Sequence, residues 1–207
     1  TRWGWLSRGL GDVYKRQEEL WDHGGFEHGH SLHDELIRVP LLLKPPAAIP
    51  LGRPIVEPQV RTLDLPATLC ELYGLAPPAA SEGRSLLPLV TGAPDPPRPA
   101  FSQDTLYGTD LLSWRDERFH LIYDRGAGVA RRIRLYDWRA DPAEQRDLAG
   151  GRPDLAESLR AELARFYADL RERGAAIADT EPLDLGPSNL DELLRSLESL
   201  GYSGEER

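Results

Sequence analysis

Val39 to Leu43 reads Val-Pro-Leu-Leu-Leu and stops at Lys44-Pro45-Pro46. A short run that is apolar at consecutive positions, without alternation, fits a strand covered on both faces, as in a parallel sheet between helices. Pro40 falls near its start, where a missing donor is tolerated. The run therefore predicts an α/β architecture with layers on both sides. The 207 residues suffice for one domain with a core, or one domain and a small appendage.

Downstream, the 18 prolines and 19 glycines cluster between periodic segments, which implies many loops but not general disorder. Asp64 can cap a helix, with Pro66 in its first turn and Gly74 as its stop. Leu65, Leu69, Leu72 and Tyr73 share one face of that helix, the face expected to be buried. Residues 76–99 read as irregular. From residue 110 the period changes to two, with Leu112 and Trp114, then Phe119, Leu121 and Tyr123, around a turn at Arg115–Arg118. A third strand, about 131–138, carries Ile133, Leu135 and Tyr136. These runs predict a small antiparallel sheet with one covered face. Its cover is expected to be a helix from Pro153 to about Arg173, where Leu155, Leu159, Leu163, Phe166, Tyr167 and Leu170 form a stripe. A last helix is predicted at about 189–200, between Ser188 and Gly201.

A net charge of -9 argues against a nucleic-acid partner, because phosphate binding needs clustered cations. No run of about 18 apolar residues crosses a membrane, and no signal peptide is visible. Cys70 is the one cysteine, so no disulfide forms within the chain and a cysteine zinc site is disfavoured. It is expected to be a small buried hydrophobe.

His23, His28, His30 and His33 lie within eleven residues, interleaved with Glu27, Asp34 and Glu35. Imidazole and carboxylate together suit a metal. They equally suit a loop that grips an anion or moves protons near neutral pH. A solvated polar loop is the plain alternative. The helical zinc spacing His-Glu-x-x-His is absent. Gly24, Gly25 and Gly29 disfavour a helix and let backbone N–H groups approach an anion. Spacing alone leaves these readings open.

The order of the motifs adds a resemblance. Asp22-His23-Gly24, then His28-Gly29-His30-Ser31-Leu32-His33-Asp34-Glu35 and Arg38-Val39-Pro40-Leu41, resembles the loop and core strand after the second metal pair in the sulfatase branch of the alkaline phosphatase superfamily. His33 stands where that family usually has Tyr. Asp64-Leu65-Pro66, Gly83-Arg84-Ser85-Leu86, Leu135-Tyr136-Asp137 and Asp141-Pro142-Ala143-Glu144 resemble later family segments in the same order.

The resemblance implies the C-terminal part of an alkaline-phosphatase-like α/β sandwich over 18–98. A small antiparallel sheet packed with a helix would follow over 99–174, then a tail over 175–207. It implies a parent that hydrolyses sulfate esters of a small molecule or carbohydrate, using calcium or another divalent cation and a formylglycine. His28 is the expected contact to sulfate and leaving group, and His30 a second substrate contact. His23 is expected to order the loop, with Asp34, Glu35 and Arg38 as polar anchors at the mouth of the core strand.

The family's metal pair would fall at Lys15 and Arg16, cations that cannot ligate calcium. The nucleophile motif Cys/Ser-x-Pro-x-Arg is absent, and Cys70 cannot replace it. Residues 1–17 are therefore expected to be foreign, with the N-terminal domain as the missing partner. The chain alone is expected to lack activity and bound cofactors. Export to the periplasm or the exterior is what the resemblance implies for the parent. A phosphodiester or phosphonate ester hydrolase of the same superfamily is the alternative. So is a non-catalytic module that binds metal through the His-rich loop.

Overall fold

The computed structural model describes residues 19–27, 29–52, 55–77, 81–104, 110–128 and 132–178. Lys15, Arg16, His28 and the helix predicted at 189–200 lie outside them. The chain divides into two compact units, with the boundary between Arg165 and Phe166.

The first unit is organised by an antiparallel meander of β3 (Ala100–Asp104), β4 (Leu111–Arg115), β5 (Phe119–Asp124) and β6 (Ile133–Asp137), hydrogen-bonded in that order. Register separates the two faces. Trp114 pairs with Leu121 and Leu121 with Leu135, so these share one face. Arg115 pairs with His120 and His120 with Tyr136 on the other. The predicted turn is built by Asp116, whose Oδ1 accepts N–H bonds from Arg118 (2.7 Å) and Phe119 (2.6 Å).

The expectation of one covered face is too small. Every residue of β4 is buried. Leu111, Ile122 and Tyr136 form a core with Leu32, and Ile37 packs against it. Ile37 ends the one-turn helix α1 (Asp34–Ile37), so the histidine-rich segment supplies the second cover. β3 is a strand the periodicity did not predict; Ala-Phe-Ser-Gln-Asp is half polar and lies at the sheet edge. At the opposite edge, Leu148 N–H donates to Leu135 O (2.7 Å) and Leu135 N–H to Asp147 Oδ1 (3.0 Å), which occupies backbone groups that would otherwise stand open. The helix α4 (Pro153–Ala178) begins where predicted and buries Ala156, Leu159 and Leu163, one stripe at helical spacing. The Arg152 guanidinium lies 5.2 Å from the Phe119 ring centre at its start.

Two expectations for the earlier segment are corrected. Val39 to Leu43 is not a strand: no described strand lies beside it, and three nearby prolines offer no donors. Leu42 is 90% exposed. With Leu51, Ile55 and Leu89, its Leu41, Leu42 and Leu43 instead line an apolar groove of about 410 Å³.

Helix α2 (Asp64–Leu72) forms, but its buried residues are Asp64, Ala67 and Thr68, while Leu69 and Tyr73 are exposed. Ion pairing, not the apolar stripe, sets this orientation. Asp64 pairs with Arg61 (2.9 Å) and Arg98 (3.1 Å) and accepts the Arg84 N–H (2.9 Å). Burial pushes the Asp64 carboxyl up, but the Arg61 guanidinium and the Arg84 N–H outweigh it and hold it below the usual range. Thr68 Oγ1 donates to Asp64 O (2.7 Å) and accepts the Leu86 N–H (2.9 Å), tying the Gly-Arg-Ser-Leu segment to the helix. Helix α3 (Leu87–Thr91) follows and ends at Gly92. Cys70 is half-buried, more accessible than expected.

Leu121 is fully buried. Leu121→Ala should lower stability by about 2–5 kcal/mol, read as a shift in the urea midpoint; a midpoint within error of the unsubstituted chain would mean the core lies elsewhere. A Cβ at Gly83 would meet Leu63 O at 1.9 Å. Gly83→Ala should therefore also unfold earlier in urea.

Candidate functional site

The histidine-rich segment starts as a two-stranded ribbon, β1 (Glu19–Leu20) against β2 (Phe26–Glu27). Its turn closes with Trp21 N–H donating to Gly25 O (2.9 Å), and Gly24 takes a left-handed φ of 85° that suits glycine. Beyond it, Ser31 Oγ accepts the His33 N–H (3.2 Å), and α1 starts at Asp34. Leu32 and Ile37 face the apolar core of the sheet. The polar side chains between them converge on one buried carboxylate.

That carboxylate is Glu144, 1% exposed, on the turn after β6. Its Oε2 accepts from His33 Nδ1 (2.8 Å) and from the Asp34 N–H (3.2 Å); its Oε1 accepts from His120 Nδ1 (2.6 Å). Its backbone carbonyl accepts from His23 Nε2 (3.1 Å). The residue holds a left-handed φ of 50°, strained for a side chain of this size. Burial pushes the Glu144 carboxyl up, but the imidazoles of His120 and His33 outweigh it and hold the group far below the carboxylate range.

Hydrogen-bond partners hold two of the histidines. His23 Nδ1 faces Glu35 Oε1 at 2.6 Å and its Nε2 faces a carbonyl, both acceptors, so both nitrogens donate and the ring is an imidazolium. Burial pushes its pKa down, but the bonds to Glu35 and to the Glu144 carbonyl raise it more, above the ordinary 6.5. His33 lies between the Glu144 carboxylate at its Nδ1 (2.8 Å) and the Arg134 guanidinium, whose Nη1 is 3.2 Å from its Nε2. The two rings stack at 3.6 Å and 2°. Below them, Arg115 Nη2 donates to Asp34 Oδ2 (3.0 Å), with its guanidinium 4.1 Å from the Trp138 ring centre. Burial raises the Asp34 pKa, and Arg115 offsets only part of the rise.

Among the described residues, Asp34, His120 and Glu144 are one group whose donor atoms lie within 4.8 Å of one another. Calcium takes about six to eight oxygen ligands. Here two carboxylates and one imidazole meet, Arg115 occupies Asp34, and imidazoles occupy both Glu144 oxygens. The group does not fit calcium; it is a buried ion-pair cluster neutralised by arginine and imidazole.

His30 is half-buried beside Ser31, and His28 lies outside the described residues. His23 orders the loop through Glu35 and the Glu144 carbonyl. Arg38 Nη1 reaches Asp34 Oδ2 at 3.7 Å. Asp34, Glu35 and Arg38 are thus anchored on each other, on His23 and on Arg115 of β4, and not on a strand at 39–43. Sequence reasoning missed His120 and Glu144. Alternation in β5 puts His120 on the face opposite Phe119, Leu121 and Tyr123, the one expected to be open, so the period gave no signal for it. A polar cleft of about 440 Å³, lined by Asp22, His23, Glu35, Arg38 and Gln145 among others, opens beside the cluster.

Because the folded-state pKa of His23 is raised, its contribution to stability is full below about pH 6.5 and is lost as pH rises through the folded value. The stability gap between the unsubstituted chain and His23→Ala, measured by denaturant unfolding, should shrink as pH climbs. A gap that widens on the alkaline side would refute the imidazolium assignment. Glu144→Ala strands two buried imidazoles and should cost about 3–5 kcal/mol at neutral pH, checked by the same unfolding measurement.

The family model for N-sulphoglucosamine sulphohydrolase, C-terminal, matches residues 22–172. The Delta 4,5-hexuronate-2-O-sulfatase of Bacteroides thetaiotaomicron is 30% identical over 143 residues, 62% of this chain and 29% of that protein. The chain therefore spans less than a third of that relative. Among solved structures, a 2-O GAG sulfatase is 23% identical over 53% of this chain and 25% of its own, with a TM-score of 0.42. The phosphonate monoester hydrolase of Agrobacterium radiobacter is 26% identical over 51% and 24%, with a TM-score of 0.41. The family match takes in both the histidine-rich loop and the Glu144 turn that holds it, and the chain belongs to the sulfatases, as a member of the N-sulphoglucosamine sulphohydrolase C-terminal family.

Proposed function

We propose that this chain is the C-terminal part of a sulfuric ester hydrolase, and that the rest of the parent protein supplies the nucleophile and the metal carboxylates. The observation that carries this reading is the family match from 22 to 172, which includes the loop of His23, His28, His30 and His33. The formylglycine and the divalent cation, calcium in the usual case, belong to the parent. This sequence has no Cys/Ser-x-Pro-x-Arg, and its buried acidic group does not fit calcium.

In this reading His28 contacts the sulfuryl group and meets the charge that builds on the departing ester oxygen, as an imidazolium giving its proton there. His30 donates a second hydrogen bond to the sulfate. The Glu144 cluster holds the flanking residues His23, His33 and Asp34 in place. A sulfated sugar is the proposed substrate, supported by the hexuronate-2-O-sulfatase relative. The exposed run at 39–43 and the apolar groove beside it are the surface that the missing N-terminal domain would cover, since an apolar face of this kind is stable only against a partner.

A chromogenic aryl sulfate tests the reading. The 207-residue chain should show no turnover with or without added calcium. The full-length protein encoded at the native locus should hydrolyse the ester, and His28→Ala should lower its kcat by about 10²–10⁴-fold, with a smaller loss for His30→Ala. Hydrolysis by the short chain, or an unaltered kcat in full-length His28→Ala, would sink the proposal.

A further inference from the structure

We infer that Glu144 is a positioning residue for the ester hydrolysis: it clasps both ends of the segment 23–33 and so fixes where His28 and His30 meet the sulfate. The inference rests on the reading of His28 as the sulfate contact.

His28 stands midway in sequence between His23 and His33, five residues from each. The two ends are brought face to face, with ring centres 3.6 Å apart and planes within 2°. Glu144 holds both. Its carbonyl accepts from His23 Nε2 (3.1 Å) and its Oε2 from His33 Nδ1 (2.8 Å). One residue therefore closes the base of the segment, with its main chain on one side and its side chain on the other. Glu144 also keeps a left-handed φ of 50°. Such strain persists only where surrounding contacts hold it, and it clusters at working sites.

The clasp is set on the sheet. His120 of β5 donates to Glu144 Oε1 (2.6 Å), Arg115 of β4 donates to Asp34 Oδ2 (3.0 Å), and Arg134 of β6 stands 3.2 Å from His33 Nε2. Three neighbouring strands thus each give one side chain to this base. Leu32 packs on the same sheet with Leu111, Ile122 and Tyr136. Apolar packing holds the segment down but is non-directional. Hydrogen bonds have preferred angles, so the bonds at Glu144 set the orientation of what they hold.

Orientation matters most at the reacting group, where a displacement of about 1 Å can cost on the order of 10²-fold in rate. The charge that His28 meets on the departing oxygen develops only in the transition state. Its misplacement therefore lowers kcat and leaves KM nearly unchanged.

The test uses the full-length protein encoded at the native locus and a chromogenic aryl sulfate, well below the unfolding temperature of each variant. Glu144→Gln keeps the shape but turns an amide N–H toward one of its two imidazoles. It should lower kcat by about 10–100-fold and leave KM within about twofold. His23→Phe keeps a ring against His33 but bonds neither Glu35 nor the Glu144 carbonyl, and should show a smaller loss of the same kind. Leu121→Ala weakens the core without touching the clasp and should keep the original kcat. If Glu144→Gln does not fold, His23→Phe decides. An unaltered kcat in the folded clasp variant, a loss confined to KM, or an equal loss in Leu121→Ala would overturn the inference. If His28→Ala still loses kcat in that event, the sulfatase reading stands without it; if His28→Ala loses nothing, both fall.

Discussion

One buried carboxylate organises this protein. Glu144 accepts hydrogen bonds from His33, His120 and the Asp34 N–H, and its carbonyl takes a fourth from His23. A charge in that position would be costly if left unpaired. Because each Glu144 oxygen is occupied, the same charge becomes a fixed point. It joins three stretches of chain: the loop at 23–34, strand β5 and the turn after β6. The left-handed backbone at Glu144 belongs to the same arrangement, since it turns side chain and carbonyl toward one loop.

The stacked imidazoles have different partners. His23 lies between two acceptors, and His33 lies between the Glu144 carboxylate and a guanidinium that can only donate. His33 stands where the resembling family usually has Tyr. An imidazole there lets one ring bond Glu144 on one side and accept from Arg134 on the other, which a phenol with a single oxygen does not do across its width.

What could be read from the sequence follows the range of the forces involved. The strands at 111–115, 119–124 and 133–137 were legible because alternation is a local property, and α4 because its apolar stripe repeats at 3.6 residues. The register of Leu121 against Trp114 and Leu135 follows from those runs once the short turns are recognised. The orientation of α2 was not legible, because Asp64 is buried by arginines 3 and 34 positions away, and that long-range pairing defeats the apolar face of Leu69 and Tyr73. The run at 39–43 was read by composition as a covered strand, but a strand also needs neighbours, and none is present among the described residues. His120 and Glu144 were missed for the reason that α2 was: their bonds join residues 24 and 111 apart, and no spacing rule encodes such contacts. The family itself was legible because it rests on the order of short motifs, which survives even where the fold of each one is misread.

The meander has a consequence for the order in which the molecule is assembled. Each strand pairs only with its neighbour in sequence, so the loops to be closed are short and the sheet has low contact order. The loop at 22–35 instead docks across more than a hundred residues, after the turn bearing Glu144 exists. Its closure carries a larger entropic cost than that of the hairpin turns. The loop is thus joined to the sheet by a polar latch at Glu144 and by the apolar packing of Leu32 and Ile37.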